Sequence, residues 1–280
     1  MEKWREVYSD EQLKKVQELE LKNLQVLDEV CKKIGVKFFA YGGTLIGAIR
    51  HKGFVPWDDD LDVAMVRSDY VKFVQHAEQY LPSNYTLQSP YNDPKSPYSY
   101  TKLRLNGTKY IEYAHHKLKI AQGIYIDIYP IDNLPDTDEE FFKQYKKFHR
   151  LSVLYARRQC PYIEQKEKNF KNACKQAIKF VSSFALKAIP RRLIVSRMDH
   201  IATKYNDKVT SRKGNLYYPK PVNVFESLYP LENGVFEGFP ILLPGGWDQH
   251  LTSRYGNYME FPPEEKRIGH RPFLLHFGNH

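Results

Sequence analysis

The chain has 280 residues, 42% of them hydrophobic, with 42 Lys and Arg against 33 Asp and Glu and a formal charge of +9. That length and apolar content fit one large domain or a domain with a lobe and exclude wholesale disorder. Three widely separated cysteines, Cys31, Cys160 and Cys174, exclude a disulfide frame and a CxxC zinc site, and the basic excess calls for an anionic partner: nucleotide, nucleic acid, phosphopolymer or lipid surface.

No apolar run reaches the roughly 20 residues of a membrane-spanning helix. The N-terminal Met-Glu-Lys-Trp-Arg-Glu is charged and lacks the apolar stretch of a signal peptide, so the expected location is the cytosol. Residues 10–34 are predicted as an amphipathic helix. Ser9 and Gln12 have capping-box spacing, Leu13, Val16, Leu24, Leu27, Cys31 and Ile34 recur at helical intervals, and Gly35 ends it. Residues 36–41 read as a buried strand. A short helix over 44–51 begins at the glycine pair Gly42-Gly43 and closes at Gly53.

Residues 61–65 read as a second strand, preceded by the run Trp57-Asp58-Asp59-Asp60-Leu61-Asp62. In a strand, side chains two apart share a face, so Asp60 and Asp62 project together while Leu61 and Val63 turn to the core. Two carboxylates that close repel unless a cation lies between them, and oxygen-only ligands suit a hard ion, most simply Mg²⁺, one or two of them. The glycine pair with Thr44 supplies backbone that can approach phosphate oxygens without an intervening β-carbon.

Ser68 is the expected cap of a helix running to about residue 80, followed by a Pro- and Tyr-rich loop over 81–99. Residues 100–105 and 109–113 read as a hairpin around Asn106-Gly107. Residues 123–131, Gly-Ile-Tyr-Ile-Asp-Ile-Tyr-Pro-Ile, alternate so that Tyr125, Asp127 and Tyr129 share a face. An Asp inside an apolar strand is costly to bury unless paired or metal-bound, which makes Asp127 the candidate third carboxylate beside Asp60 and Asp62. The competing reading is a strand-end Asp that caps a turn.

Residues 137–158, 166–189 and 191–206 read as basic amphipathic helices, the second broken by Pro190. Two readings stay open for them: ordinary helices with one solvated face, or a surface lying on an anionic membrane. Residues 235–243 read as strand or turn, and 246–255 as a short helix ended by Gly256. The expected division is a catalytic core over 1–136, a helical lobe over 137–215 and a segment over 216–280 that packs back on the core.

The run Tyr-Gly-Gly-Thr-Leu-Ile-Gly-Ala-Ile-Arg-His-Lys-Gly-Phe-Val-Pro-Trp-Asp-Asp-Asp-Leu-Asp-Val, residues 41–63, resembles the LicD family, itself similar to the wider nucleotidyltransferase superfamily. Residues 123–131 are similar to that family's second acidic strand. Residues 251–263, with Tyr-Gly-Asn-Tyr-Met and Pro-Pro, are similar to its C-terminal signature. The resemblance implies an α+β, nucleotidyltransferase-like fold: a small mixed sheet flanked by helices, with an added helical lobe. It implies transfer of phosphocholine from CDP-choline to a sugar hydroxyl of a cell-surface glycan, with release of CMP. Asp60 and Asp62 match the superfamily's paired acids and Asp127 its third; Gly42 and Gly43 match the glycines that hold donor phosphate. The gap from Gly43 to Asp60 is longer than in most of the superfamily, which makes residues 51–59 a candidate family-specific loop.

On that scheme Mg²⁺ rests on Asp60, Asp62 and Asp127, and Asp127 or Asp59 is the candidate base. Arg50, His51, Lys102 and Arg104 are candidates to offset phosphate charge. Tyr125, Tyr129 and Trp57 are candidates to face the choline cation, with plain packing as the alternative for each ring. The expected partners are CDP-choline and a glycan or lipid-linked glycan acceptor, with contact at the inner face of the plasma membrane. Three rival readings remain: a nucleotidyltransferase releasing pyrophosphate, a transferase of phosphoribitol or phosphoglycerol, and a non-catalytic nucleic-acid binder. The last leaves the acidic strand unexplained, so no nucleic acid is expected as partner.

Overall fold

A computed structural model of the chain describes residues 9–162, 170–217 and 224–280. Helix α1 (Asp10–Ile34) begins at the predicted capping box, in which the Ser9 hydroxyl accepts from the Gln12 amide while the Gln12 side chain accepts from Ser9. It ends at Gly35 in the left-handed conformation, φ +72°. Its buried stripe (Val16, Leu24, Leu27, Cys31) covers one face of a central sheet.

Only part of the predicted first strand pairs. Strand β1 (Phe39–Ala40) is antiparallel to β2 (Asp62–Val66). The amides just before it are engaged elsewhere, Val36 N–H with Cys31 O and Lys37 N–H with the Asp69 carboxylate. Between these strands lie α2 (Gly42–Ile46) and one wider helical turn, Gly47–His51, which closes at Lys52 (φ +59°) and not at Gly53. Helix α3 (Arg67–His76) starts directly after β2, so Ser68 lies inside it and is not its cap.

The loop expected over 81–99 contains β3 (Tyr85–Gln88), antiparallel to β4 (Thr101–Leu105). The expected hairpin over 100–113 does not form as a pair. Strand β4 lies between β3 and β6 (Tyr125–Leu134), whereas β5 (Lys109–Ile111) pairs with β11 (Leu274–His276) at the far end of the chain. Asn106-Gly107 still turns the chain, with Gly107 at φ +83°, but long-range partners outcompete the local one.

The main sheet runs β1-β2-β6-β4-β3, with β2 and β6 parallel and the other neighbours antiparallel; β7 (Arg212–Gly214) joins β6 and β8 (Val224–Phe225). Leu61, Val63, Leu103, Ile126 and Ile128 point to the α1 and α3 side and form the main core. The opposite face carries the alternate residues; Phe225 and Leu228 pack on part of it, around Ala64 and Ile131.

Helices α4 (Asp138–Gln159), α5 (Phe170–Leu186) and α6 (Arg191–Ala202) follow; residues 166–169 of the expected second helix lie outside the described residues. Helices α4 and α6 enclose a separate core of Phe141, Phe148, Tyr155, Ile194 and Met198 against Leu134. The hairpin β9 (Glu232–Phe236) and β10 (Phe239–Leu243) precedes α7 (Trp247–Tyr255), which ends at Gly256. The fold is α+β: a mixed sheet flanked by seven helices among the described residues.

Candidate active site

Strand register builds the site. Asp62 on β2 stands beside Asp127 on β6, and Asp127 stands opposite Lys102 on β4. Paired residues in one row point to one face, so the three side chains leave the sheet together. Tyr125 and Tyr129, two residues either way from Asp127, share that face. They open into a cleft of about 800 Å³ whose walls include Asp58, Asp60, Asp62, Lys102, Asp127 and Glu112.

The row is held from behind. Thr44 is buried, and its hydroxyl accepts the Asp62 N–H at 2.8 Å. A β-carbon on Gly42 would lie 2.4 Å from Asp62 Oδ2, and one on Gly43 would lie 2.4 Å from Asp58 Oδ2. Gly42 also adopts φ +55°. The glycine pair, read from sequence as room for phosphate, is therefore room for two carboxylates, with Gly43 also lining the cleft.

Lys102 Nζ lies 2.6 Å from Asp127 Oδ1 and 3.5 Å from the centroid of the Tyr125 ring; both side chains are nearly inaccessible to solvent. Tyr129 donates its hydroxyl to Asp127 Oδ2 at 3.3 Å. Burial pushes the Asp127 carboxyl up from its ordinary range, against the pull of Lys102. Burial and the charges of Asp60, Asp127 and Asp58 push Asp62 well up, and burial with Asp60 does the same to Asp58. Asp62 Oδ1 is buried with no hydrogen-bond partner. Asp58, Asp60, Asp62 and Asp127 line one cleft, Lys102 pairs with Asp127, and a buried Asp62 oxygen is left unpaired. That donor set fits a hard divalent cation.

Asp59 has a different role from its neighbours. It is fully buried, and it does not line the cleft. Its Oδ1 accepts the His270 N–H at 2.6 Å, and its Oδ2 accepts the Arg271 N–H and the Tyr110 hydroxyl, both at 2.9 Å. Burial would raise its carboxyl, but the His270 side chain and these amides outweigh it and hold it low. With its oxygens so engaged Asp59 is an anchor and, contrary to the expectation from sequence, is not placed to act as the base. Asp58, Asp59 and His270 offer ligand atoms within 4.8 Å of one another, the one such group among the described residues. The His270 imidazole, 3.3 Å from Asp59 and 3.4 Å from Asp60, is pushed up to about 10 by the Asp59 hydrogen bond and the Asp60 charge.

The anchor holds a strap. After Gly256 the chain runs back along the cleft, contributing Asn257, Tyr258, Glu260, Phe261, Pro262 and Ile268 to its wall. Arg50 Nη1 donates to Tyr258 O at 2.6 Å and to Glu260 O at 3.1 Å. Arg50 and Arg267 both lie over the Phe261 ring, and Arg267 also over Trp57, at 4.9–5.5 Å.

Of the residues singled out from sequence, Gly43, Arg50, Trp57, Asp60, Asp62, Lys102, Tyr125, Asp127 and Tyr129 line the cleft. Gly42 and Thr44 lie behind it. Arg104 is buried away from it, donating to Gln88 Oε1 and Gly123 O. His51 faces Arg50 and the Phe261 ring. Sequence reasoning missed Asp58, Glu112, Arg254 and His270. Asp58 was visible in the acidic run; the other three carry no local signal.

Comparison with known proteins accords with this geometry. Residues 35–154 match the model of the family described as LicD/FKTN/FKRP, nucleotidyltransferase domain. Over those residues the chain is similar to the LicD family's domain. Over 269 residues, 91% of this chain and 95% of the relative, it is 29% identical to the lipopolysaccharide cholinephosphotransferase LicD of Haemophilus influenzae. It is also 29% identical to an uncharacterised protein of Rickettsia prowazekii over 58% of this chain and 70% of that one. A third relative, an uncharacterised protein of Rickettsia typhi, is 35% identical over 30% of each chain. The matched LicD segment contains β1, β2, β4 and β6, and hence the whole acidic row. The strap lies outside it.

Proposed function

We propose that this protein transfers phosphocholine from CDP-choline to a sugar hydroxyl of a cell-surface glycan, of teichoic acid or lipopolysaccharide type, releasing CMP. The observation that carries this reading is the strand-register pair Asp62 and Asp127, with Asp60 beside it, facing a cleft of about 800 Å³. Similarity to a protein named as a lipopolysaccharide cholinephosphotransferase along 91% of the chain supports phosphocholine as the transferred group.

Asp60, Asp62 and Asp127 are the residues that would hold Mg²⁺, one ion or two. When bound, the metal supplies neutralisation of charge on the donor's pyrophosphate and on the leaving CMP. Lys102 steadies Asp127 and adds positive charge beside the transferred phosphoryl group. The acceptor hydroxyl attacks the choline-bearing phosphorus, a new P–O bond forms, and the bond to CMP breaks. Asp127 takes the hydroxyl proton; its raised carboxyl suits that task better than Asp59, whose oxygens are engaged. Tyr129 is the aromatic ring beside this row that suits the choline cation, whereas Lys102 already lies over Tyr125 and Arg267 over Trp57. Arg50 steadies the strap that walls the cleft. The reaction belongs on the cytoplasmic side, at the inner face of the membrane.

The family description, a nucleotidyltransferase domain, favours one second reading: transfer of the nucleotide itself, with release of pyrophosphate. The released product separates the two. With CDP-choline, Mg²⁺ and a glycan acceptor, CMP is expected; pyrophosphate would overturn the reading. A panel of CDP-donors tests choline against ribitol and glycerol. Asp60→Asn and Asp62→Asn are each expected to lower transfer by at least about 10²-fold with the fold intact, because each removes charge that holds the ion. Full activity of either variant after chelation of Mg²⁺ would contradict the scheme.

A further inference from the structure

Helix α5 packs with its polar side inward. Gln176 donates to Pro161 O at 2.7 Å, Ser183 donates to Arg158 O at 3.2 Å, and the Lys179 ammonium reaches Tyr162 O. These residues follow one helical stripe against the end of α4. The opposite stripe is apolar and faces outward: Phe170 is 85% exposed, Ile178 66%, Val181 67% and Phe184 73%. Ala177 and Cys174 fill the gaps between them and are also exposed. At 100° per residue these side chains share a single arc that contains no charge. Leu193, 62% exposed at the start of α6, extends the apolar patch.

Charge surrounds this arc and is all of one sign. No Asp or Glu occurs from Phe170 through Met198, and the exposed Lys175, Lys187 and Arg192 border the apolar residues. A water-facing helix of a folded domain ordinarily has the reverse polarity. A second copy of this chain is a poor occupant, because two-fold pairing of the face would set lysine against lysine. No helix among the described residues is long and apolar enough to cross a bilayer. An outward apolar arc with a basic border matches a helix lying in the plane of an anionic interface.

We propose that α5, with the first turn of α6, docks the protein on an anionic lipid bilayer. Phe170, Ile178, Val181 and Phe184 enter the acyl boundary, while Lys175, Lys187 and Arg192 meet lipid phosphates. This docking is independent of the chemistry in the cleft.

The test is flotation of the full chain with vesicles of phosphatidylcholine containing roughly 30% phosphatidylglycerol. Wild type is expected to float with these vesicles and not with pure phosphatidylcholine. Ile178→Asp/Phe184→Asp is expected to weaken binding by at least about tenfold. Both positions face solvent, so the far-ultraviolet circular dichroism is expected to stay unchanged. Lys175→Gln/Lys187→Gln is expected to weaken binding less and to flatten its salt dependence. CMP release with a soluble acceptor is expected to be unchanged in the aspartate variant, which separates docking from transfer. The proposal is overturned if wild type stays with neither vesicle, if the aspartate variant floats like wild type, or if its one effect is to dissociate a dimer.

Discussion

Gly42 is the point at which the backbone makes space for a catalytic acid. Alanine there would place a methyl group 2.4 Å from Asp62 Oδ2, on a backbone held at φ +55°. Gly42→Ala is expected to turn Asp62 out of the row and lower CMP release by about 10–100-fold, the range for losing a group that orients a metal ligand. Thr44→Val removes the acceptor of the buried Asp62 amide and is expected to cost about 1–3 kcal/mol in urea unfolding. The facing of Asp62 to the cleft, with Leu61, Val63 and Met65 in the core, was readable from the alternation along 61–65, since the period of a strand is local. The purpose of Gly42 was not, because the object filling its empty side is a carboxylate twenty residues away.

At the scale of elements, the strap over 257–271 depends on one buried carboxylate. Asp59→Asn keeps the shape but loses the charge that draws the His270 and Arg271 amides. Hydrogen exchange across 257–271 is expected to accelerate, and KM for the donor to rise more than kcat falls. Unchanged exchange would mean that Arg50 alone holds the strap. Helix α1 was fully readable, because its capping box and terminal glycine lie within its own sequence. The hairpin expected at Asn106-Gly107 failed for the opposite reason: β4 is claimed by β3 and β6, and β5 by β11, and no local pattern encodes those partners. Periodicity likewise marked α5 as amphipathic without saying that its polar side faces in.

For the whole molecule, the concentration of buried acids makes stability depend on pH and metal together. Asp58, Asp62 and Asp127 all have folded-state carboxyls raised above their ordinary range. The native state therefore binds more protons than the unfolded chain between the ordinary carboxylate range and those raised values, and metal-free stability falls as pH rises through that window. A divalent ion replaces the protons, so its stabilisation grows with pH. The melting temperature is expected to rise more on adding Mg²⁺ at pH 8 than at pH 5, with the difference abolished in Asp62→Asn. An equal rise at both pH values would place the ion elsewhere.

The most direct test is to locate the metal. Crystals grown with CDP-choline and Mn²⁺ as an anomalous scatterer are expected to show density bounded by Asp60, Asp62 and Asp127, with His270 still on Asp59. A peak held instead by Asp58, Asp59 and His270, or none beside Asp127, would contradict the acidic row as the seat of transfer.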